Sequence, residues 1–361
     1  MRSTKTSLTP LLVLLIGLSS CKNTTNSPSL VPPIVVPAIS ATNLSLLADY
    51  NQGTGGRTLY VMQEGKVIFE QYSNGGSAAQ KQMLASGTKS FNGIVAAVAI
   101  TDGLITFDDL ASTYLTEWKT DARKSRITIR QLLNQTDGQL SGEAGSATNM
   151  ESWADILAEP TSYEPGQRFE YGPYHFNAFA AALQRKLQSN GTETYETYLK
   201  RRILDPLGIS LQWIYRCADG NPQVAGGASM TAHDWATFGE FVRNRGLWQG
   251  KQLIRPELID ECMKPTIPQN PTYGLTWWLK EPVSDAIANQ NATVKELQAL
   301  TNATWAPEDM YFAAGAGKQR MYVIPSQKVV VVRQATLGAS ARSFTDEDFV
   351  SLLLRGKKAA E

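Results

Sequence analysis

The chain has 361 residues, of which 42% are hydrophobic, and a formal net charge of +1 at pH 7. These values fit a soluble globular protein with a sizeable core, in one large domain or two smaller ones. A net charge so close to zero gives no electrostatic reason to expect a nucleic-acid partner. The chain has two histidines and three cysteines without C-x-x-C spacing, so we expect no metal site and no cofactor.

Residues 1–21 are typical of an export signal. Arg2 and Lys5 give a basic start, and the apolar run from Leu11 to Leu18 is too short to span a bilayer. The run ends in Leu18-Ser19-Ser20-Cys21, which resembles the lipobox of bacterial lipoproteins, where the cysteine is lipidated. The alternative is an ordinary secretory signal with an incidental cysteine. We expect an exported protein that contacts the membrane only through lipid on Cys21, in the bacterial cell envelope (periplasmic or outer-membrane face).

Residues 22–45 are rich in Ser, Thr, Asn and Pro. Such a composition cannot bury a core, so this segment is predicted to be a flexible tether. The folded domain is then expected to cover residues 46–361.

The domain begins with a predicted short helix near Leu46 and a hairpin that turns at Glu64-Gly65. A helix is predicted from Ser86 to about Gly103, because apolar residues recur there at helical spacing. The other predicted helices are Ile129–Leu133, Met150–Leu157, His175–Leu187, Tyr195–Leu204, His233–Asn244 and Thr345–Arg355. The predicted strands are Arg57–Met62, Lys66–Tyr72, Met310–Ala314, Arg320–Ile324 and Val329–Gln334.

This order of elements predicts an α+β fold. Strands at both ends of the domain, residues 46–104 and 265–361, are expected to form one antiparallel sheet flanked by helices, with a mostly helical insert at 105–264. The polar stretch 282–308 is predicted to be a long loop that overhangs a site.

Ser86-Gly87-Thr88-Lys89 is the main candidate for catalytic chemistry. A serine and a lysine three residues apart lie on one helical face, so the amine can reach the hydroxyl. Such S-x-x-K pairs form a nucleophile without histidine. The motif is short enough to occur by chance, and the alternative is a helix-capping serine beside a solvated lysine.

Several stretches resemble the serine β-lactamase and penicillin-binding protein superfamily, especially the branch with class C β-lactamases, DD-peptidases and esterases. The resemblance runs from about residue 55 to 355 and rests on stretches in the expected order: Ser86-Gly87-Thr88-Lys89-Ser90-Phe91, 127–138, Pro165-Gly166-Gln167-Arg168-Phe169-Glu170-Tyr171, 226–234 and Tyr273-Gly274-Leu275-Thr276-Trp277-Trp278. It implies a β-lactamase/transpeptidase-like fold. It also implies that Tyr171 is the family's catalytic tyrosine, a base or proton relay. An ordinary tyrosine titrates near pH ~10, so it acts as a phenolate only beside a cation such as Lys89.

The sequence departs from the family pattern at two places. The asparagine that usually follows the tyrosine two places on is replaced by Pro173, which has no polar side-chain group. The family's Lys-Thr-Gly or His-x-Gly strand corresponds in this chain to Ala313-Ala314-Gly315-Ala316, which lacks the cation. The resemblance still implies an oxyanion hole from the backbone N–H groups of Ser86 and Ala316.

Further cationic, titratable and thiol residues leave alternatives open. Lys318 and Arg320 either replace the missing cation or are solvated strand residues. His175 either lines the cleft or lies on a helix face without chemistry. Cys217 and Cys262 either form a disulfide or remain two separate buried thiols.

The sequence therefore predicts a serine hydrolase that acylates Ser86 with a small-molecule or peptide ester or amide. Losing both polar anchors at Pro173 and Ala313 favours an esterase or peptidase over an efficient β-lactamase. The alternative is a non-catalytic envelope lipoprotein that keeps a penicillin-binding fold.

Overall fold

The computed structural model describes Met1 and residues 36–140, 150–336 and 343–361. Cys21, the predicted signal peptide beyond Met1 and the tether up to residue 35 lie outside the described residues. Residues 36–361 cluster into one unit. Within the described ranges, no helix has both the length and the apolar character needed to cross a membrane.

Strands predominate near both ends of the described part of the chain, and helices predominate between them. The strands are β1 (Gly56–Gln63), β2 (Lys66–Tyr72), β3 (Gln82–Met83), β4 (Gln212–Trp213), β5 (Ala228–Met230), β6 (Leu247–Trp248), β7 (Lys251–Gln252), β8 (Trp278–Leu279), β9 (Tyr311–Gly315), β10 (Gln319–Ile324) and β11 (Val329–Ala335). The helices are α1 (Ala41–Gly53), α2 (Ser90–Thr101), α3 (Ile129–Leu133), α4 (Trp153–Ala158), α5 (Tyr174–Ser189), α6 (Tyr195–Leu199, continued as a π-helix over Lys200–Leu204), α7 (Asp205–Leu207), α8 (Ala232–Arg243), α9 (Pro256–Cys262), α10 (Asp285–Ala288), α11 (Ala292–Asn302) and α12 (Asp346–Arg355).

The largest sheet in the described part joins the two ends of the domain, as the sequence predicted. Its strands lie in the order β2-β1-β11-β10-β9-β8, and each adjacent pair is antiparallel. Consecutive strand side chains point to opposite faces. Tyr60 and Met62 therefore join a core with α2, α5 and α8, whereas Leu59 and Val61 join a second core with α1, α11 and α12. The α+β architecture with helices on both faces of an antiparallel sheet is confirmed.

Helix α1 begins earlier than predicted, inside the segment assigned to the tether. The Ser40 side chain accepts a 3.1 Å hydrogen bond from the Asn43 N–H and caps the helix. Leu44 and Leu47 are buried in the core. The two leucines give this segment an apolar face, which the polar composition around it conceals.

The prediction of one long loop over 282–308 is wrong. The segment contains α10 and α11, and the side chain of Asn291 caps α11. Val294, Leu297 and Leu300 are buried at helical spacing. This apolar stripe stabilises the helix against the sheet even though the other residues of the segment are polar.

Cys217 and Cys262 are separate buried thiols. The Cys262 Sγ lies 3.5 Å from the Gly93 carbonyl oxygen, and the Cys217 Sγ lies 3.9 Å from Asn177 Oδ1. The structure therefore decides between the two alternatives that the sequence left open.

Candidate active site

Ser86 lies in a tight turn that leads into α2. The turn is a 3₁₀ helix over Ala85–Lys89, and the α-helix begins only at Ser90, whereas the sequence predicted its start at the serine itself. Ala85 has a φ of 48°, which is uncommon for a residue other than glycine. Ser86 is partly exposed between the buried residues Ala85 and Gly87. The turn thus leaves Ser86 accessible although the residues on either side of it are buried.

Lys89 points from this turn into the protein and reaches the serine hydroxyl. Its Nζ lies 3.0 Å from Ser86 Oγ and 3.0 Å from the carbonyl oxygen of Ala225. The residue is only 5% exposed. The rings of Tyr171 and Phe176 cover the amine, with centroids 4.8 Å and 5.7 Å from Nζ. The lysine is therefore held in one position beside the serine.

Burial lowers the pKa of Lys89 from 10.5 to about 7. Desolvation disfavours the charged ammonium, and the nearest groups are a hydroxyl, a carbonyl and aromatic rings rather than a carboxylate. A substantial fraction of the amine is then neutral at pH 7. A neutral amine within hydrogen-bonding distance of a hydroxyl can act as its general base.

Tyr171, whose ring covers the Lys89 amine, also forms a hydrogen bond with the side chain of Ser86. Burial raises the pKa of Tyr171 to about 12, against the opposing effects of that hydrogen bond and of the Arg320 charge. The phenol is therefore neutral at physiological pH. Of the two proton-transfer groups, Lys89 is the one suited to be the base, and Tyr171 can pass a proton as a neutral phenol. The ring packs against Trp278, with centroids 5.5 Å apart.

Gln135 fixes the backbone that carries Tyr171. Its side-chain Oε1 accepts a 2.8 Å hydrogen bond from the Gly172 N–H, and its own carbonyl accepts one of 3.0 Å from Glu170. Gln135 is fully buried and has a φ of 61°. Gln135 belongs to the family-like stretch 127–138, but nothing in its local sequence indicates this role, because its contacts are with a distant segment.

Asn92 has a similar structural role behind Lys89. Its Nδ2 donates hydrogen bonds to the carbonyl oxygens of Lys89, at 3.1 Å, and Val224, at 2.9 Å. The Tyr195 hydroxyl donates to Asn92 Oδ1 at 2.8 Å. These bonds tie the 224–225 backbone, which holds the lysine amine, to helix α2.

Pro173 and His175 are both buried. Pro173 is buried at the start of α5, and its carbonyl accepts a 3.1 Å hydrogen bond from Asn177. His175 is fully buried, with Nδ1 2.8 Å from Asp137 Oδ1. The hypothesis that His175 lines the open cleft is therefore wrong, because the first turn of α5 directs it into the core.

The end of strand β9 runs directly beside the serine turn. A Cβ atom on Gly315 would lie 2.1 Å from the Leu84 carbonyl oxygen, so only glycine permits this approach. Ala316 follows in an exposed turn, next to the serine segment, which suits a backbone donor for an oxyanion. Ala313, which stands where the family pattern has its cation, is only 2% exposed and packs in the core.

Lys318 and Arg320 are both ion-paired, and Arg320 is also buried. Lys318 Nζ lies 2.8 Å from Glu296 Oε1, and the Arg320 guanidinium contacts the same carboxylate. Arg320 also donates to Asp346 Oδ1 at 2.6 Å and to the Gly315 carbonyl oxygen at 3.0 Å. Burial alone would raise the pKa of Asp346, but the Arg320 charge offsets this and holds it below its usual value. The cations thus form a neutralised cluster beside the site.

The described residues contain no group of three or more His, Cys, Asp or Glu side chains placed to hold a metal ion. The arrangement of a partly exposed hydroxyl, a buried amine and a phenol is suited to nucleophilic attack on a carbonyl carbon.

These features agree with the comparisons to known proteins. The Beta-lactamase family model matches residues 44–354, and the chain belongs to this family. The structure is similar to EstCE1, a hydrolase with promiscuous acyltransferase activity (TM-score 0.63, 17% identity, covering 83% of this chain and 96% of that one). It is also similar to a β-lactamase from Mycobacterium bovis (TM-score 0.57, 20% identity, 88% and 96%) and to a penicillin-binding protein from Bacillus halodurans (TM-score 0.61, 16% identity, 84% and 97%). The resemblance to the β-lactamase and penicillin-binding protein superfamily is confirmed.

Proposed function

We propose that this protein is a serine hydrolase that acts on an ester or amide through an acyl-enzyme at Ser86. The observation that carries the proposal is the Lys89 amine, 3.0 Å from Ser86 Oγ, with a pKa that burial lowers to about 7. A lysine with this pKa is available as a base at neutral pH, whereas a solvated lysine is protonated there.

In the proposed reaction, Ser86 Oγ attacks the substrate carbonyl while Lys89 accepts the hydroxyl proton. The tetrahedral oxyanion is stabilised by the backbone N–H groups of Ser86 and Ala316. The C–O or C–N bond then breaks, and the leaving group receives the proton. A water molecule then attacks the acyl carbonyl while Lys89 accepts a proton from it. The bond to Ser86 Oγ breaks, Ser86 regains a proton, and the carboxylic acid is released.

Tyr171 is proposed to relay the proton between Lys89 and the leaving group. Its hydrogen bond with Ser86 and its ring over the lysine amine support this role. Since the pKa of Tyr171 is about 12, the relay begins from the neutral phenol and passes one proton on as it receives another.

The proposed substrates are esters or amides, and we expect β-lactams to be poor substrates. Pro173 supplies no side-chain hydrogen bond, and Ala313 is buried and uncharged. Each lost charge-assisted hydrogen bond costs roughly 1.5–3 kcal/mol. The structurally similar EstCE1 is itself a hydrolase with promiscuous acyltransferase activity, which is compatible with this choice.

The test is hydrolysis by the purified protein of p-nitrophenyl butyrate and of a cephalosporin, with Ser86→Ala as the matched control. We expect the ester to be hydrolysed, the cephalosporin to be turned over slowly or not at all, and Ser86→Ala to be inactive. Cephalosporin turnover without esterase activity would refute the substrate assignment. Absence of turnover on any ester or amide would favour the binding-protein alternative.

We further propose the class C-like branch as the nearest group and a lipid anchor at Cys21 in the bacterial envelope. Both rest on the sequence patterns described above. The test is fractionation of cells without detergent. Recovery of a Cys21→Ala variant in the soluble fraction, while the unaltered chain stays with the membranes, would support the anchor. Equal partitioning of the two proteins would contradict it.

A further inference from the structure

Two cations beside the proposed site, Lys318 and Arg320, share one acidic partner, Glu296. Glu296 belongs to α11, in the segment where the sequence predicted a loop. Its Oε1 lies 2.8 Å from Lys318 Nζ and also contacts the Arg320 guanidinium. A single carboxylate therefore contacts both cations that follow strand β9.

This cluster is coupled to the reacting groups. The Arg320 guanidinium donates to the carbonyl oxygen of Gly315, the residue that packs against the serine turn. The charge of Arg320 lowers the pKa of Tyr171 and the charge of Glu296 raises it, although burial is the largest effect. Both charges therefore lie within electrostatic reach of the phenol beside Ser86.

The accessible part of the cluster has no net charge. The side chains of Arg320 and Asp346 are both only 2% exposed and compensate each other. Lys318 and Glu296 are 20% and 38% exposed and form the outer pair. An anionic substrate that approaches the Lys318 ammonium is repelled by the Glu296 carboxylate and competes with it for the ammonium.

A groove lined by residues that directly precede Tyr171 also has no net charge. It has a volume of about 330 Å³ and includes Phe169 and Glu170, which directly precede the tyrosine, and Val294 of α11. Its side-chain amides, which accept and donate hydrogen bonds without charge, belong to Gln167, Gln269, Asn270, Gln290 and Asn291. Its charged residues Arg168 and Glu170 form an ion pair with each other.

We propose that Glu296 determines substrate specificity by occupying Lys318 and Arg320, so that the site selects uncharged, polar esters or amides and rejects substrates that carry a carboxylate. The inference rests on the proposed Ser86 chemistry and specifies its substrate class. Glu296 acts on the charge of the binding surface and takes no part in bond making.

The experiment compares two p-nitrophenyl esters of one length, made from adipic acid monoamide and from adipic acid with its free carboxylate. A second pair places the charge on the leaving group, as butyrate esters of 4-nitrophenol and of a carboxylated 4-nitrophenol. We expect the unaltered protein to show a kcat/KM about tenfold or more lower for the anionic member of at least one pair. Glu296→Gln should raise the anionic-to-neutral ratio of that pair about tenfold, because the freed Lys318 ammonium can bind the carboxylate.

Glu64→Gln is the matched control. Glu64 forms an ion pair with Lys328, with 2.8 Å between Oε1 and Nζ. Lys328 has a positive φ, as Lys318 does, but it follows strand β10 whereas Lys318 precedes it. We expect Glu64→Gln to leave both ratios as in the unaltered protein. A melting temperature measured for each variant separates charge effects from unfolding.

The outcomes distinguish this inference from the function on which it rests. Hydrolysis of the neutral esters with a ratio that Glu296→Gln leaves unchanged, or a preference of the unaltered protein for the anionic esters, would overturn the inference and leave the proposed function intact. No hydrolysis of any ester would overturn both.

Discussion

The lowered pKa of Lys89 makes a quantitative prediction about the pH dependence of activity. With a pKa of about 7, half of the amine is the neutral base at pH ~7, and roughly one per cent remains neutral at pH ~5. The kcat/KM for a neutral ester should therefore rise about tenfold per pH unit below pH ~7 and level off above it. An ordinary lysine would place the plateau above pH ~10.

The assay is initial-rate hydrolysis of p-nitrophenyl butyrate from pH ~5 to ~9 at constant ionic strength, with Ser86→Ala as the blank for spontaneous hydrolysis. A profile that keeps rising through pH ~9 would refute the reasoning, because it would mean that Lys89 is protonated in the folded enzyme. A flat profile from pH ~5 upward would show that a different base acts.

The same burial predicts a stability difference that needs no activity. Lys89 has a pKa of about 7 in the folded protein against 10.5 for an ordinary lysine, so burying it costs about 5 kcal/mol below pH ~7, where both states are protonated. Between pH ~7 and ~10.5 the folded state has lost a proton that the unfolded state still binds, and stability rises with pH. The unfolding free energy of Lys89→Met minus that of the unaltered protein should fall by about 1.4 kcal/mol per pH unit across this range. Parallel curves in urea unfolding would contradict the shift.

Two further substitutions test the geometry around the serine. Tyr171→Phe keeps the ring that packs on Trp278 but removes the hydroxyl. It should lower kcat/KM by several orders of magnitude with little change in melting temperature. The decreases in kcat/KM caused by Tyr171→Phe and by Lys89→Ala should not be additive. A decrease of less than about tenfold for Tyr171→Phe would contradict a role of the tyrosine in the mechanism. Gly315→Ala places a Cβ 2.1 Å from the Leu84 carbonyl oxygen and should cost about 1–3 kcal/mol of stability together with activity. Gly53→Ala, where a Cβ meets no atom within 4 Å, is the control, and equal melting curves and rates for the two alanine variants would refute the close approach.

The sheet and the contact between Ser86 and Lys89 could be predicted from the sequence because their signals are local. Short continuous apolar runs locate β1 and β11, and the short S-x-x-K spacing joins Ser86 to Lys89 through a single turn. The order of the family-like stretches then connects Tyr171 to that turn.

The supporting contacts could not be predicted in this way. The carbonyl of Ala225 reaches Lys89 from a residue far along the chain, and Gln135 holds Gly172 through a single side-chain bond. Ala225 carries no signal of its role, because a backbone carbonyl is present at every position, and the sequence does not show which N–H group the Gln135 side chain contacts. These contacts exist only once distant segments pack together.

Helix α11 is a different case, because its signal was present and was outweighed. Val294, Leu297 and Leu300 recur at helical spacing, and Asn291 is a favourable cap. The polar residues between them, and the long polar stretch before them, favoured a loop. Missing this helix also hid Glu296, and with it the neutralisation of Lys318 and Arg320.

Covalent labelling of Ser86 tests the central claim most directly. The purified protein and Ser86→Ala would be treated with a fluorophosphonate, and the adducts read by intact mass and by mapping the modified peptide. We predict one adduct per unaltered chain, on Ser86, none on Ser86→Ala, and labelling that accelerates as the pH rises through ~7, where Lys89 loses its proton. Equal labelling of the two proteins, or an adduct on a different residue, would contradict the account.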